Sequence, residues 1–383
     1  MTRFLSTHDV ARIVQTLGLP EVFRRMVAGL EADFLRWGEF DKSPRAAAHS
    51  KDGVIELMPI ADASQYSFKY VNGHPKNHQH GLPTVMAFGV LADVATGQPS
   101  LLSELTLTTA IRTAATSVMA ARHLARKDSR VMALIGNGAQ SEFQALAFHH
   151  LLGIRELRIH DIDAAASARL ARHLAQAAPT LAVTICTSTA EAVRGADIIT
   201  TVTADKTNAT ILTPEMIEPG VHVNGVGGDC PGKTELHRGV LEMARVFVEY
   251  EPQSRVEGDV QQMPADFPVT ELWRVLAGQA RGRERSEEVT VFDSVGFALE
   301  DFSALRLLLA CAEELNLGAP IALVPKMADP KNLFGQLEAT DESKRRAMPS
   351  VGRAMAMQSE PSINLPSARS NGVRLKTTGL GRG

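Results

Sequence analysis

Apolar residues recur at helical spacing from Val10 to Leu17 and from Val22 to Leu35, then give way to alternation. The runs 54–59, 66–70 and 83–91 read as strands, and Ala95-Thr96-Gly97-Gln98-Pro99 reads as a turn. This opening stretch predicts an α+β unit. From about Ile111 the pattern changes. An alanine-rich helix is expected over 112–126, followed by a continuous apolar strand, Val131-Met132-Ala133-Leu134-Ile135, a glycine turn and a helix over 139–152. Strand 157–160, helix 164–178, strand 182–185, a short helix and strand 198–202 come next, with later strands at 221–224 and 289–292. Strands alternating with helices imply a parallel sheet with right-handed crossovers, covered on both faces. The helix over 298–315 is expected to lead back to the first unit. The fold expected is therefore α/β: a Rossmann-like dinucleotide-binding domain (113–314) inserted in an α+β substrate-binding and dimerisation domain (1–112, completed by about 315–340). Beyond Ala339 the apolar periodicity fades, and residues 341–383 read as a disordered tail.

Composition narrows the function class. The formal net charge is −3 and the charged fraction 22%, without the basic excess of a nucleic-acid binder. Cys186, Cys230 and Cys311 have no paired spacing, which argues against a disulfide scaffold or a zinc site and fits a reducing cytoplasm. No run reaches the length of a membrane span, and the first residues lack the apolar core of a secretory signal. The expectation is a cytoplasmic enzyme with no membrane or nucleic-acid partner.

The most informative local pattern is Gly136-Asn137-Gly138-Ala139-Gln140-Ser141, which follows a strand and opens a helix. The first glycine permits the tight turn, and the second lets backbone approach a pyrophosphate at the positive helix N-terminus. Ser141 stands where the usual fingerprint has a third glycine; it is small enough to preserve close helix–strand packing. Asp161 ends the next strand, roughly twenty residues on, where an acidic side chain accepts hydrogen bonds from the adenosine ribose and repels a 2′-phosphate. That favours NAD over NADP; the alternative is an aspartate that caps the next helix. Thr203 follows the strand over 198–202, on the side of an open α/β sheet where ligands bind.

Several segments together resemble the ornithine cyclodeaminase/μ-crystallin family, over roughly residues 1–335. They are Lys69-Tyr70-Val71-Asn72-Gly73-His74-Pro75, Gly81-Leu82-Pro83-Thr84, the run Leu107–Thr116 containing Thr-Ala-Ile-Arg-Thr-Ala-Ala, the glycine turn, the run Val223–Leu236 containing Gly-Asp-Cys-Pro-Gly-Lys-Thr-Glu-Leu, and Asp293-Ser294-Val295-Gly296. The resemblance implies that Arg45, Lys69 and Arg112 receive the carboxylate of an α-amino acid, with Thr84 and Val295 also on the substrate. It implies Asp229 as catalytic acid/base. Around NAD it implies Thr84, Arg112, Gly136, Gly138, Ala139, Gln140, Asp161, Thr203, Val223, Asn224, Gly225, Val226, Lys233 and Ser294. It further implies a homodimer formed through the first domain, and no metal, although His74, His78 and His80 lie close in sequence. Glu56 is a candidate neighbour of the distal amine. Arg112 is expected at the start of its helix, where the dipole disfavours a cation and an anionic partner would offset the cost.

The activity implied is conversion of L-ornithine to L-proline and ammonia. Displacing an amino group from an unactivated carbon is slow, so Cα is first oxidised by bound NAD+, the imine is attacked by the distal amine, and the hydride returns. Lysine cyclodeamination, ketimine reduction and amino-acid dehydrogenation use the same scaffold and remain as alternatives, as does a non-catalytic crystallin-like binder.

Overall fold

The computed structural model describes residues 1–204 and 209–337; the tail expected over 341–383 lies outside the described residues. Residues 1–324 form one compact unit, and the described residues that follow, 325–337, belong to a second, small one. The chain opens with β1 (Thr2–Leu5), α1 (Thr7–Leu17) and α2 (Leu19–Leu35). Ser6 and Asp9 cap α1 reciprocally: the Ser6 hydroxyl accepts from the Asp9 N–H, and the Asp9 carboxylate accepts from the Ser6 N–H. Then come β2 (Asp41–Lys42), β3 (Ala46–His49), β4 (Val54–Ala61), β5 (Gln65–Gly73), β6 (Val85–Asp93), β7 (Pro99–Glu104) and α3 (Thr106–Leu124).

The long strands β4, β5 and β6 alternate along most of their length, and the two faces differ in chemistry. Glu56, Met58, Lys69, Val71, Ala87 and Gly89 point inward. The outer face carries two apolar rows in register, Leu57–Tyr70–Phe88 and Pro59–Phe68–Val90. Tyr70 and Phe88 stack with ring centroids 5.0 Å apart, yet Leu57 and Phe88 remain exposed.

The second sheet begins with β8 (Val131–Ile135), α4 (Ser141–Leu152), β9 (Glu156–His160), α5 (Ala164–Ala177), β10 (Ala182–Ile185), α6 (Thr189–Val193), β11 (Ile198–Thr201) and β12 (His222–Gly225). It continues through α7 (Arg238–Glu242), β13 (Arg245–Val248), α8 (Glu251–Glu257), β14 (Thr270–Glu271), α9 (Leu272–Leu276) and β15 (Thr290–Asp293). Finally α10 (Ala298–Glu314) leads to β16 (Ala319–Ile321), which pairs with β1 in the first sheet. The first sheet runs β16-β1-β7-β6-β5-β4-β2, with β3 also on β4; the second runs β10-β9-β8-β11-β12-β15-β13-β14 and is parallel throughout.

In the second sheet the strand order reverses between β8 and β11, the Rossmann switch point. Its central strand β8 is apolar on both faces because both are covered: Met132 and Leu134 enter one core cluster, Ala133 and Ile135 the other. The alanine-rich α3 is buried along nearly its whole length, packing on α2 and α4 as well as on β6 and β15. A helix wedged between neighbours needs small residues, which explains its composition. The helix also begins earlier than the pattern suggested. Arg112 lies well inside it rather than at its start, so the helix-dipole reasoning does not apply to that residue.

Candidate functional site

A cavity of about 260 Å³ lies where the inner face of the first sheet meets the carboxyl ends of the second sheet's strands. From the first sheet and its loops come Arg45, Glu56, Lys69, His74 and Thr84; α3 adds Arg112. From the second sheet come Gly138, Ala139 and Gln140 after β8, Thr203 after β11, Val226, Asp229 and Lys233 after β12, and Ser294 and Val295 after β15.

The glycine turn has the expected construction. Gly136 has φ +94°, and a Cβ there would lie 2.8 Å from the Val202 carbonyl oxygen, so the turn demands glycine. Gly138 differs: a Cβ built on it would meet no atom within 4 Å, so its backbone faces open space in the cavity. Ser141 is buried and its hydroxyl donates to the Gly138 carbonyl at 2.6 Å, closing the turn in place of a third glycine. Asp161 does not line the cavity; its carboxylate accepts from the Asn137 N–H at 2.5 Å and the Asp163 N–H at 2.8 Å, tying β9 to the turn. Val223, Asn224 and Gly225 also stay out of the cavity. They lie buried in β12, where the Asn224 amide donates to Thr200 Oγ1 at 3.2 Å and its oxygen lies 3.1 Å from His222 Nε2, so of that run only Val226 reaches the cavity wall.

The three cations converge, and each brings its own carboxylates. Lys69 Nζ lies 2.7 and 2.9 Å from the two Asp301 oxygens. Arg112 donates to Glu300 at 2.6 Å and to Asp301 at 3.2 Å. Arg45 donates to Glu56 at 3.0 Å and to the Val295 and Gly296 carbonyls at 2.6 Å each, while its Nε lies 3.0 Å from Glu257. The anionic partners of Arg112 thus come from the first turn of α10, and sequence reasoning missed Glu257, Glu300 and Asp301 altogether. Burial drives the titration of this cluster. Lys69 is pushed down to about 8 by burial and by Arg112, with Asp301 opposing. Burial pushes Glu300 up to about 8 and Glu257 up to about 7, despite their arginines. Arg45 is opposed by burial, but Glu56, Glu257 and Asp229 hold it firmly charged.

On the other side, Asp229 is half-exposed and pairs with the buried Lys233 at 3.1 Å. Buried Glu249 accepts from the Ser294 hydroxyl at 2.6 Å and faces the Val295 and Gly296 N–H groups at 3.3 Å, fixing the loop after β15. Of the three histidines, only His74 lines the cavity; its Nδ1 lies 2.9 Å from the Asn72 amide, and among the described residues no cluster has the make-up of a metal site. The arrangement can hold an extended anionic group along the glycine turn and an α-carboxylate against the cations, with a carboxylate to move protons between them.

Comparison with known proteins places this arrangement. The chain is 56% identical over 334 residues to an ornithine cyclodeaminase of Agrobacterium fabrum, covering 87% of this chain and 94% of that one. A solved lysine cyclodeaminase, described for its recognition of L-lysine, L-ornithine and L-2,4-diaminobutyric acid, superposes with a TM-score of 0.82 at 34% identity over 87% of this chain and 99% of its own. An archaeal alanine dehydrogenase, solved as a dimer with bound NAD, superposes with a TM-score of 0.77 at 28% identity over 84% and 99%. The profile of the ornithine cyclodeaminase/mu-crystallin family matches residues 7–315, a span that holds the glycine turn, the cation cluster and the Asp229 segment alike, and the chain belongs to that family.

Proposed function

We infer that the protein is an ornithine cyclodeaminase, forming L-proline and ammonia from L-ornithine with NAD. The observation that carries this is the meeting, in one cavity, of an open glycine turn at Gly138, three cations at Arg45, Lys69 and Arg112, and the carboxylate of Asp229. The open backbone of Gly138 fits a pyrophosphate, with Ala139 and Gln140 beside it, Asp161 toward the adenosine ribose, and Thr203, Val226, Lys233 and Ser294 toward the nicotinamide end. Bound NAD+ would supply the transient two-electron oxidation at Cα and its reversal after ring closure. The protein's share is orientation and proton handling. Lys69 and Arg112 grip the α-carboxylate, Arg45 closes it from the Val295 side, and Thr84 borders both ligands. Asp229 accepts the proton of the distal ammonium so that the amine can attack, and Glu56 faces the same space.

The test is incubation with L-ornithine and catalytic NAD+, following proline and ammonia. Net NADH accumulation would instead indicate a dehydrogenase, and a six-membered ring product from lysine a different chain-length preference. Asp229→Ala should lose most turnover, at least about a hundredfold, while binding NAD normally; a near-normal rate removes Asp229 from the chemistry.

The assembly we propose is a homodimer. The apolar rows Leu57–Tyr70–Phe88 and Pro59–Phe68–Val90 form a broad patch, the usual mark of a subunit interface. Phe88→Glu should convert the dimer to a monomer by light scattering, and an unchanged mass would move the interface elsewhere. Within residues 1–324, the division into a substrate and dimerisation domain, 1–112 completed by β16, and a nucleotide domain, 113–314, belongs to the same proposal. So does a cytoplasmic location: among the described residues Cys186, Cys230 and Cys311 form no disulfide, and no helix is long and apolar enough to cross a membrane.

A further inference from the structure

Glu235 is assigned no part in the reading above, yet it is the most fully engaged carboxylate near the cavity. It is 1% exposed and follows the Asp229–Lys233 segment. Its Oε1 accepts from the Thr203 N–H at 2.7 Å and the Thr203 hydroxyl at 2.6 Å. Its Oε2 accepts from the Thr201 hydroxyl at 2.6 Å and the Gly227 N–H at 2.8 Å. Four donors from the ends of β11 and β12 therefore close on one anion. The space is made for it, since a Cβ on Gly227 would overlap the carboxylate. Thr203, Val226 and Gly227 line the cavity; Glu235 itself does not.

We propose that Glu235 is a positioning residue that holds the ends of β11 and β12 together as the wall for the nicotinamide half of the dinucleotide. This rests on the nucleotide reading above. In a Rossmann sheet the two mononucleotide halves bind on opposite sides of the switch point. The adenosine half lies over β8–β10, built here from the Gly138 turn and Asp161. The other half lies over β11, β12 and β15, and Glu235 joins the first two of those. Its charge is required as well as its shape. Each oxygen accepts one backbone N–H, which cannot turn away. In an isosteric glutamine, either orientation of the amide sets its NH2 against the N–H of Thr203 or of Gly227, leaving a buried donor without a partner.

The experiment is calorimetric binding of NAD+ and of ADP-ribose, which lacks nicotinamide, to the full-length protein and to Glu235→Gln, without substrate. The variant is expected to bind NAD+ at least tenfold more weakly and ADP-ribose within threefold of wild type. Equal weakening of both ligands would mean a general structural role and overturn the proposal, as would unchanged NAD+ affinity. Gly227→Ala displaces the carboxylate while keeping its charge, and should show the same selective loss; it decides the matter if the glutamine variant does not fold. Failure of the wild type to bind either ligand would remove the nucleotide reading itself, an outcome distinct from a wild type that binds both and a variant that does not discriminate.

Discussion

Lys69 offers a quantitative test of the carboxylate-binding cluster. Its amine is 1% exposed, paired with Asp301 and crowded by Arg112, and these surroundings bring it down to about 8. Only the ammonium form can receive a substrate carboxylate. Between pH 7 and pH 9 the protonated fraction in the free enzyme falls from about 0.9 to about 0.1, a loss of about 1.4 kcal/mol in apparent binding, or about tenfold in KM. Ornithine's own amines also titrate in this range, so the wild type is compared with Lys69→Met at each pH. The variant lacks a charge-assisted contact of about 1.5–3 kcal/mol, so its KM at pH 7 should already be at least about tenfold higher. It should then change with pH only as the substrate, Glu257 and Glu300 ionise, changes that the wild type shares. The wild-type KM is expected to climb toward that of the variant as pH rises, narrowing the gap about tenfold by pH 9. Parallel profiles, with the ratio of the two KM values constant from pH 7 to pH 9, would show that Lys69 does not contact the substrate through its charge.

Two further outcomes concern the frame around the site. His222 is fully buried against Thr290 and Asn224, and burial together with Arg283 lowers it to about 3. Its depressed value means that the neutral ring stabilises the fold above the ordinary 6.5 and that this stability is lost as pH falls; by pH 5 the loss is about 2 kcal/mol. Urea unfolding at pH 7.5 and pH 5 should show the wild type losing about that much more than His222→Gln, and equal losses would refute it. Phe297, just before α10, is fully buried between Trp37 and Tyr250, with centroids at 5.6 and 4.8 Å. Phe297→Ala should cost about 3–5 kcal/mol in denaturant unfolding, and a cost under about 1 kcal/mol would mean the aromatic group does not hold that end of α10.

The parts of the site that sequence made legible are those whose chemistry is written locally. The β8 turn and the Asp229 segment, which both reach the cavity, each sit beside an element with clear apolar periodicity. The strands β1, β2, β3, β7, β13, β14 and β16 were missed; so few residues carry little periodicity of their own, and equally short strands such as β11 were legible only through the helix–strand alternation around them. The carboxylates were missed for another reason. Glu300 and Asp301 stand in the first turn of a helix, where acidic residues are expected for the dipole alone, and nothing local distinguishes them from solvated ones. One signal was available: Asp293 comes at the carboxyl end of β15, a strand that the sequence did show, where a parallel sheet presents its ligands, and it is fully buried.

The buried carboxylates also explain how three cations can wait at one site. Arg45, Lys69 and Arg112 without counter-charges would be costly to bury, and Lys69 would discharge. Glu56, Glu257, Glu300 and Asp301 remove that cost but, if all were ionised, would leave four negative charges against three positive ones and repel an incoming carboxylate. Burial resolves the conflict by holding Glu257 near 7 and Glu300 near 8, so that near neutral pH Glu300 is mostly protonated and Glu257 about half so. Near neutral pH three positive charges therefore face fewer than three negative ones, and the balance favours an α-carboxylate. A substrate anion then completes the charge pairing of the cluster, and raising the pH undoes it from both directions, by discharging Lys69 and by ionising Glu300.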